Sequence, residues 1–248
     1  MDSDPRRKEL PPAAVDRNKV DTLSHDLRAT AVSMQSLAGG LLDRGKETVV
    51  GEEDFNLRRL LAVTEYQERL LRDLLTLLRI GKEPPTVKEV DIEALLKQVI
   101  KECQAEAGDS SVKFQLPPSF PSVSADPLYL KAVFNHLIEN AIKFMGEQRH
   151  PEIGISVQEQ EEWVEFSIRD NGIGIDPAYH GKIFEPFQRL REMEANGTGV
   201  GLTIVKRILQ RGGGRVWVES QKGQGTTVLF TLPKDVLAAI HRKFEVAI

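Results

Sequence analysis

The stretch "GKEPPTVKEV" (81–90) divides the sequence into two parts whose apolar residues follow different periods. Adjacent prolines stop a helix, and Gly81 just ahead of them marks its end. Before this break the spacing is helical. Val20, Leu23, Leu27, Ala31, Met34, Ala38 and Leu41 recur at steps of three and four, which places them in one stripe. The charged, glycine-bearing run "DRGKETVVGEED" interrupts the pattern, and a second helix is predicted from about Asp54 to Ile80. It carries Leu57, Leu60, Leu61, Leu70, Leu71, Leu74, Leu75, Leu77 and Leu78, an apolar face too wide for one partner helix. A hairpin of two such helices leaves apolar surface that a second copy would cover. A homodimer with a four-helix bundle is therefore expected.

Beyond the break, helix and strand patterns alternate. Asp91 is placed to cap a helix through Leu95, Leu96, Val99, Ile100 and Cys103. Short strands are predicted at "VKFQL" and "SVSA". "DPLYLKAVFNHLIENAIKFM" opens with Asp126 as cap and Pro127 in the first turn, a strong helix start. Strands follow at "EIGISVQE" and "EWVEFSIRD", then a helix at "GVGLTIVKRILQR", then strands at "RVWVES" and "TTVLFTLP". The predicted class is multi-domain: an α-helical hairpin, then an α+β domain with helices layered on a sheet. The parts are a terminal segment at 1–14, the hairpin at 15–82, a linker at 83–90, the mixed domain at 91–233 and an amphipathic tail at 234–248.

Composition narrows the possible partners. The 248 residues carry a net charge of −4 without long single-sign blocks, so the basic stripe of a nucleic-acid binder is missing. Cys103 is the only cysteine, which excludes an intrachain disulfide or a cysteine-built zinc site, and its helical position reads as core. The first residues, "MDSDPRRKELPPAA", lack the apolar stretch of a signal peptide. No apolar run approaches the ~20 residues of a spanning helix. A soluble, cytoplasmic chain without membrane contact is expected.

One short stretch stands out in the first helix: "SHDLRAT" (24–30). With Leu23 set at zero and about 100° per residue, the apolar stripe stays within about 80° while His25 falls near 200°. His25 therefore faces away from the seam. Ala29 shares its face, and Thr30 turns back toward the stripe.

Four further stretches follow in order: "HLIENAIKF" (136–144), "DNGIGI" (170–175), "FEPF" (184–187) and "GTGVGL" (197–202). Neither glycine run has the spacing of a dinucleotide fingerprint, and "GTGVGL" lacks the Lys-Ser/Thr of a P-loop. Taken in sequence after "SHDLR", these stretches resemble the sensor histidine kinases of two-component systems, across nearly the whole chain. "EPFQRL", "GTGVGLTIVKRI" and "GGRVWVES" are most similar to the kinases behind phytochrome- and PAS-type sensors. The resemblance implies a dimerisation and phosphoacceptor hairpin followed by an ATP-binding α/β sandwich of the Bergerat (GHKL) type.

It also implies roles, residue by residue. His25 would be the phosphorylated and catalytic residue, with Asp26 orienting the ring and accepting its proton and Arg28 near the phosphoryl group or lid. Asn140 would hold Mg²⁺, for which a neutral carboxamide oxygen suits a hard cation that keeps water and phosphate as its other ligands. Lys143, on the same helix face, would neutralise phosphate charge. Asp170 would accept from the adenine amino group, since an ionised carboxylate only accepts. Gly172 and Gly174 would let the backbone approach the base, and Thr226 would support Asp170. Gly197, Thr198, Gly199, Val200, Gly201 and Leu202 would join a lid at about 176–196 to a helix N-terminus that favours phosphate. Phe184 and Phe187 would be the lid's contact with the hairpin, or else simply core. ATP and Mg²⁺ are the implied substrate and metal. A response-regulator receiver domain and an upstream sensor domain or protein are the implied partners.

The sequence departs from the family pattern twice. The family commonly has threonine four residues beyond its histidine, supporting phosphatase action; here it is Ala29. The residue one turn before the metal asparagine is often asparagine; here it is His136, beside Asn135. Related ATP hydrolases carry a glutamate at that position, so a hydrolase reading lacks its base. His150, His180 and His241 show no constellation. The alternative to an active kinase is a degenerate one serving as a dimerising scaffold.

Overall fold

A computed structural model describes residues 29–30, 33–34, 36–37, 50–82, 85–107, 111–188 and 197–236. The chain divides into two compact units, Met1–Leu70 and Leu71–Ile248. His25, Asp26, Arg28 and His241 lie outside the described residues.

In the first unit Ala29, Thr30, Ser33, Met34, Ser36 and Leu37 are helical. Ala29, Ser33 and Ser36 are exposed, whereas Thr30, Met34 and Leu37 are half-buried, a division with the phase of one apolar stripe. The second helix, α1, runs Val50–Lys82, so it begins about four residues before the predicted start. The charged, glycine-bearing run read as an interruption therefore does not end before the helix begins but supplies its first residues. Gly51 costs less near a helix end than inside one. The Thr64 hydroxyl donates to the Leu60 carbonyl at 2.9 Å and lies 4.0 Å from the Met34 sulfur.

The second unit is a two-layer α/β sandwich. A five-stranded sheet has the order β2-β4-β5-β7-β6, from β2 (Lys113–Gln115), β4 (Glu152–Glu159), β5 (Trp163–Asp170), β6 (Arg215–Ser220) and β7 (Thr226–Pro233). β2 pairs parallel with β4, and the other pairs are antiparallel. Helices α2 (Ile92–Ala107), α3 (Pro127–Lys143) and α4 (Gly201–Arg211) supply the apolar residues opposite the sheet. Along β5, Val164, Phe166, Ile168 and Asp170 are buried while the residues between them are not, the period of a strand with one covered face. Phe134 of α3 meets Phe166 and Phe230 edge-on at 5.7 and 5.8 Å, and those two rings stack at 5.1 Å. Leu77 and Ile80, from the last turns of α1, belong to the same apolar cluster.

Both predicted caps are present. The Asp91 carboxylate accepts from the Ala94 amide, and Asp126 accepts from Leu128 and Tyr129. Asp126 also accepts from the Thr86 amide at 2.7 Å, tying the preceding segment to α3. That segment holds a strand that was not anticipated, β1 (Lys88–Val90), paired antiparallel with β3 (Val123–Ala125). Only Val90 of the three β1 residues is buried, so the proline pair dominated the local signal. Cys103 is buried in the core, and burial pushes its thiol up to about 12. No helix among the described residues is long and apolar enough to cross a membrane.

Candidate functional site

Asp170 ends β5 with only 8% of its surface exposed. Burial pushes its carboxyl up from 3.8 to about 6, partly offset by backbone amides that favour the charged form. Two of these, from Gly172 at 2.9 Å and Thr226 at 3.1 Å, both reach Oδ1. Oδ2 makes no hydrogen bond among the described residues, which leaves it to accept from a ligand. Arg169, Asp170, Glu219, Ser220, Gln224 and Thr226 contribute to the wall of an open cavity of about 180 Å³ here.

The loop after Asp170 is held from two sides. The Ile173 amide donates to the Phe144 carbonyl at the end of α3, and the Gly223 amide donates to the Ile173 carbonyl at 2.7 Å. The Ile175 amide donates to the Ser220 hydroxyl, which also reaches the Gly225 carbonyl. Gly172 has the Phe144 carbonyl where a Cβ would stand. Gly174 has φ +68 and the Gln221 carbonyl in that place, so a side chain there meets backbone on both counts. Asn171 carries a job that sequence reasoning missed: its carboxamide donates to the His150 carbonyl and accepts from the Glu152 amide, anchoring β4. Ser220 and Gly225 were missed as well: Ser220 reads only as the end of a strand, and its bonds to Ile175 and Gly225 depend on how the chain folds back.

The other candidate residues gather at the C-terminal half of α3 and the start of α4. Asn140 is half-buried, and its carboxamide makes no hydrogen bond among the described residues. No group of three or more His, Cys, Asp and Glu side chains able to hold a metal occurs among those residues. A single neutral oxygen fits a hard cation held mainly by phosphate and water, so the donor set is compatible with Mg²⁺ at Asn140. The Lys143 ammonium occupies the space where a Cβ on Gly197 would stand, and it lies 5.1 Å from the Phe144 ring. Thus Lys143 and the glycine segment are in contact. Val200 provides no side-chain cap to α4, so the amides of its first turn have no such acceptor.

Phe184 is buried, and its carbonyl accepts from the Thr203 hydroxyl at 3.3 Å. Phe187 packs against the core with φ 61, and its amide donates to the Gly199 carbonyl at 2.9 Å. Both phenylalanines are therefore tied to the segment around α4. The expected lid at 176–196 is described as far as residue 188, where it contains a short 3₁₀ turn, Pro177–Tyr179, capped by Asp176.

Two further residues join this group. Asp73 of α1 is 7% exposed, and its Oδ2 accepts from the Thr198 hydroxyl at 2.6 Å. Its Oδ1 stands 3.7 Å from His136 Nε2, while Nδ1 of the same ring is 3.9 Å from Glu139. Burial lowers the pKa of His136, opposed by the Asp73 charge and assisted by Arg72.

Comparison with known proteins is consistent across sequence and structure. Residues 125–236 match the family described as "Histidine kinase-, DNA gyrase B-, and HSP90-like ATPase". The methanogenesis regulatory histidine kinase FilI of Methanothrix harundinacea is 35% identical over 218 residues, covering 86% of this chain and 24% of FilI. Cyanobacterial phytochrome A of Nostoc is 38% identical over 168 residues, 67% of this chain and 22% of that protein. The chain thus spans about a quarter of the length of these curated relatives. Among solved structures, histidine kinase ThkA in complex with the response regulator TrrA superposes with a TM-score of 0.69 at 22% identity, over 89% of this chain and 62% of that one. The ThkA catalytic domain alone gives 0.53 at 27% identity, over 61% of this chain and 97% of that domain.

Proposed function

This chain belongs to the sensor histidine kinases, with a GHKL-type ATP-binding domain, and on that premise we propose that it is an ATP-dependent histidine autokinase acting on its own His25. The observation that carries the reading is Asp170. It is a buried carboxylate whose Oδ1 is saturated by two amides and whose Oδ2 can accept from an adenine amino group. The triphosphate then runs toward Lys143 and the amides of α4, where the helix dipole favours an anion. Gly197, Thr198, Gly199, Val200, Gly201 and Leu202 line that approach. Thr226, bonded to Asp170 through its amide, holds the base-accepting carboxylate in place. Asn140 would hold Mg²⁺, which supplies charge neutralisation between phosphate oxygens when bound.

Phosphoryl transfer asks little covalent chemistry of the protein and much positioning. A neutral imidazole nitrogen of His25 attacks the γ-phosphorus, the bond to the β–γ bridging oxygen breaks, and ADP departs. Asp26 accepts the ring proton, so the product is a neutral-ring phosphoramidate. The phosphoryl group then passes to an aspartate of a response-regulator receiver, in a homodimer driven by an upstream sensor. ThkA, in its complex with TrrA, is the precedent for such a partner among similar folds.

Incubation with γ-labelled ATP and Mg²⁺ tests this. Acid-labile, alkali-stable label that vanishes in His25→Gln is the expected result. A wild-type chain that binds ATP and takes up no label is a scaffold instead.

A further inference from the structure

Asp73 is a buried carboxylate on the helix that leads into the nucleotide-binding unit, and every partner it has here belongs to the proposed phosphate site or borders it. Oδ2 takes the Thr198 hydroxyl at 2.6 Å, and the same hydroxyl oxygen accepts from the Val200 amide at 3.3 Å. Oδ1 faces the His136 ring, whose other edge stands 3.0 Å from the position a Cβ on Gly201 would take. Carboxylate, hydroxyl and imidazole therefore close over the entrance to α4. Burying a charge is costly unless it is paired and hydrogen-bonded, so the carboxylate is held by these contacts and they by it.

We propose that Asp73 is an internal competitor of the nucleotide: it occupies the Thr198 hydroxyl and keeps a negative charge where the phosphate chain binds, so that nucleotide and clasp exclude each other. The proposal rests on the nucleotide reading given above. Thr198 has one proton to donate, which cannot serve Asp73 and a phosphate oxygen together. A phosphate at α4 would also stand beside the Asp73 charge in a poorly solvated place, where repulsion is weakly screened. Burial lowering the His136 pKa leaves that ring largely neutral near pH 7, so it does not cancel the charge. By reciprocity, nucleotide that excludes the clasp unfastens this part of α1 from Thr198. Nucleotide occupancy is then reported to the C-terminal turns of α1, which carry Asp73.

The test uses the full chain, a fluorescent ATP analogue and two variants. Asp73→Asn keeps an oxygen for Thr198 and removes the charge; Asp73→Ala removes both. A clasp closed nine-tenths of the time weakens apparent binding about tenfold, so Asp73→Ala should lower Kd by about that factor and Asp73→Asn by less. Unchanged or raised Kd in a variant that still melts cooperatively overturns the proposal. Hydrogen exchange on the unmodified chain gives a reading independent of variant folding. ATP analogue should increase deuterium uptake at 71–76; unchanged or decreased uptake in nucleotide-saturated protein also overturns it. If neither wild type nor variants bind the analogue, the nucleotide reading falls and the clasp with it. Wild-type binding with unaltered variants sinks the clasp alone.

Discussion

Replacing Asp170 by asparagine should make the nucleotide-free protein more stable and the nucleotide site useless. Asp170→Asn retains an oxygen for the Gly172 and Thr226 amides but carries no charge to bury. Holding an ionised carboxyl whose value has moved from 3.8 to about 6 costs about 3 kcal/mol, at 1.36 kcal/mol per pH unit. The sign follows from linkage. Between pH 3.8 and 6 the folded form binds the proton and the unfolded form does not, so this group adds stability as pH falls and its cost is complete above about pH 6. After the cost of burying a carboxamide, a gain of roughly 1–3 kcal/mol is expected at pH 7.5. At about 2–4 °C per kcal/mol for a domain of this size, that is a rise of roughly 2–12 °C in Tm, shrinking toward zero near pH 4. Nucleotide binding moves the other way. The new NH₂ faces the adenine amino group, donor against donor, and affinity should fall at least about a hundredfold. Scanning calorimetry without nucleotide and titration calorimetry with ATP read the two effects separately. A lower Tm at pH 7.5 refutes the burial argument, and ATP affinity within about twofold of wild type refutes the adenine reading.

Two other substitutions probe different links. Gly174→Ala must hold an alanine at φ +68 against the Gln221 carbonyl, and should cost about 2–4 kcal/mol, read as a lower urea midpoint with an unchanged m-value. Ala29→Thr places a hydroxyl on an exposed position four residues beyond His25, and should raise dephosphorylation of a phosphorylated receiver severalfold while His25 labelling persists. No change in dephosphorylation counts against the role given to that position.

The elements that were legible share one physical property: their signal is local. Asp91 and Asp126 each precede a helical stripe and cap it, and β5 alternates because one face is covered and the other open. Asp170 was singled out only through the family resemblance of "DNGIGI"; the structure adds that it is buried and accepts from two amides. β1 was not legible, because two prolines spoke louder than one buried valine. Asp73 was not either. A lone acid within a leucine-rich helix reads as part of its wet face, and what buries it is Thr198, 125 residues away. His136 could be assigned to a helix surface or a half-buried place from its neighbours, but the carboxylate opposite it, on another helix, is also far off in sequence. Tertiary partners of this kind leave no periodic trace.

Phe187 deserves its place at the neck of the segment between residues 188 and 198 for a mechanical reason. A bulky residue kept in the left-handed region stores about 1–2 kcal/mol, and here one amide bond to the Gly199 carbonyl helps to hold it. That strain is confined to one residue, so a glycine at 187, which adopts positive φ without it, would keep the amide bond to Gly199 and remove the stored energy.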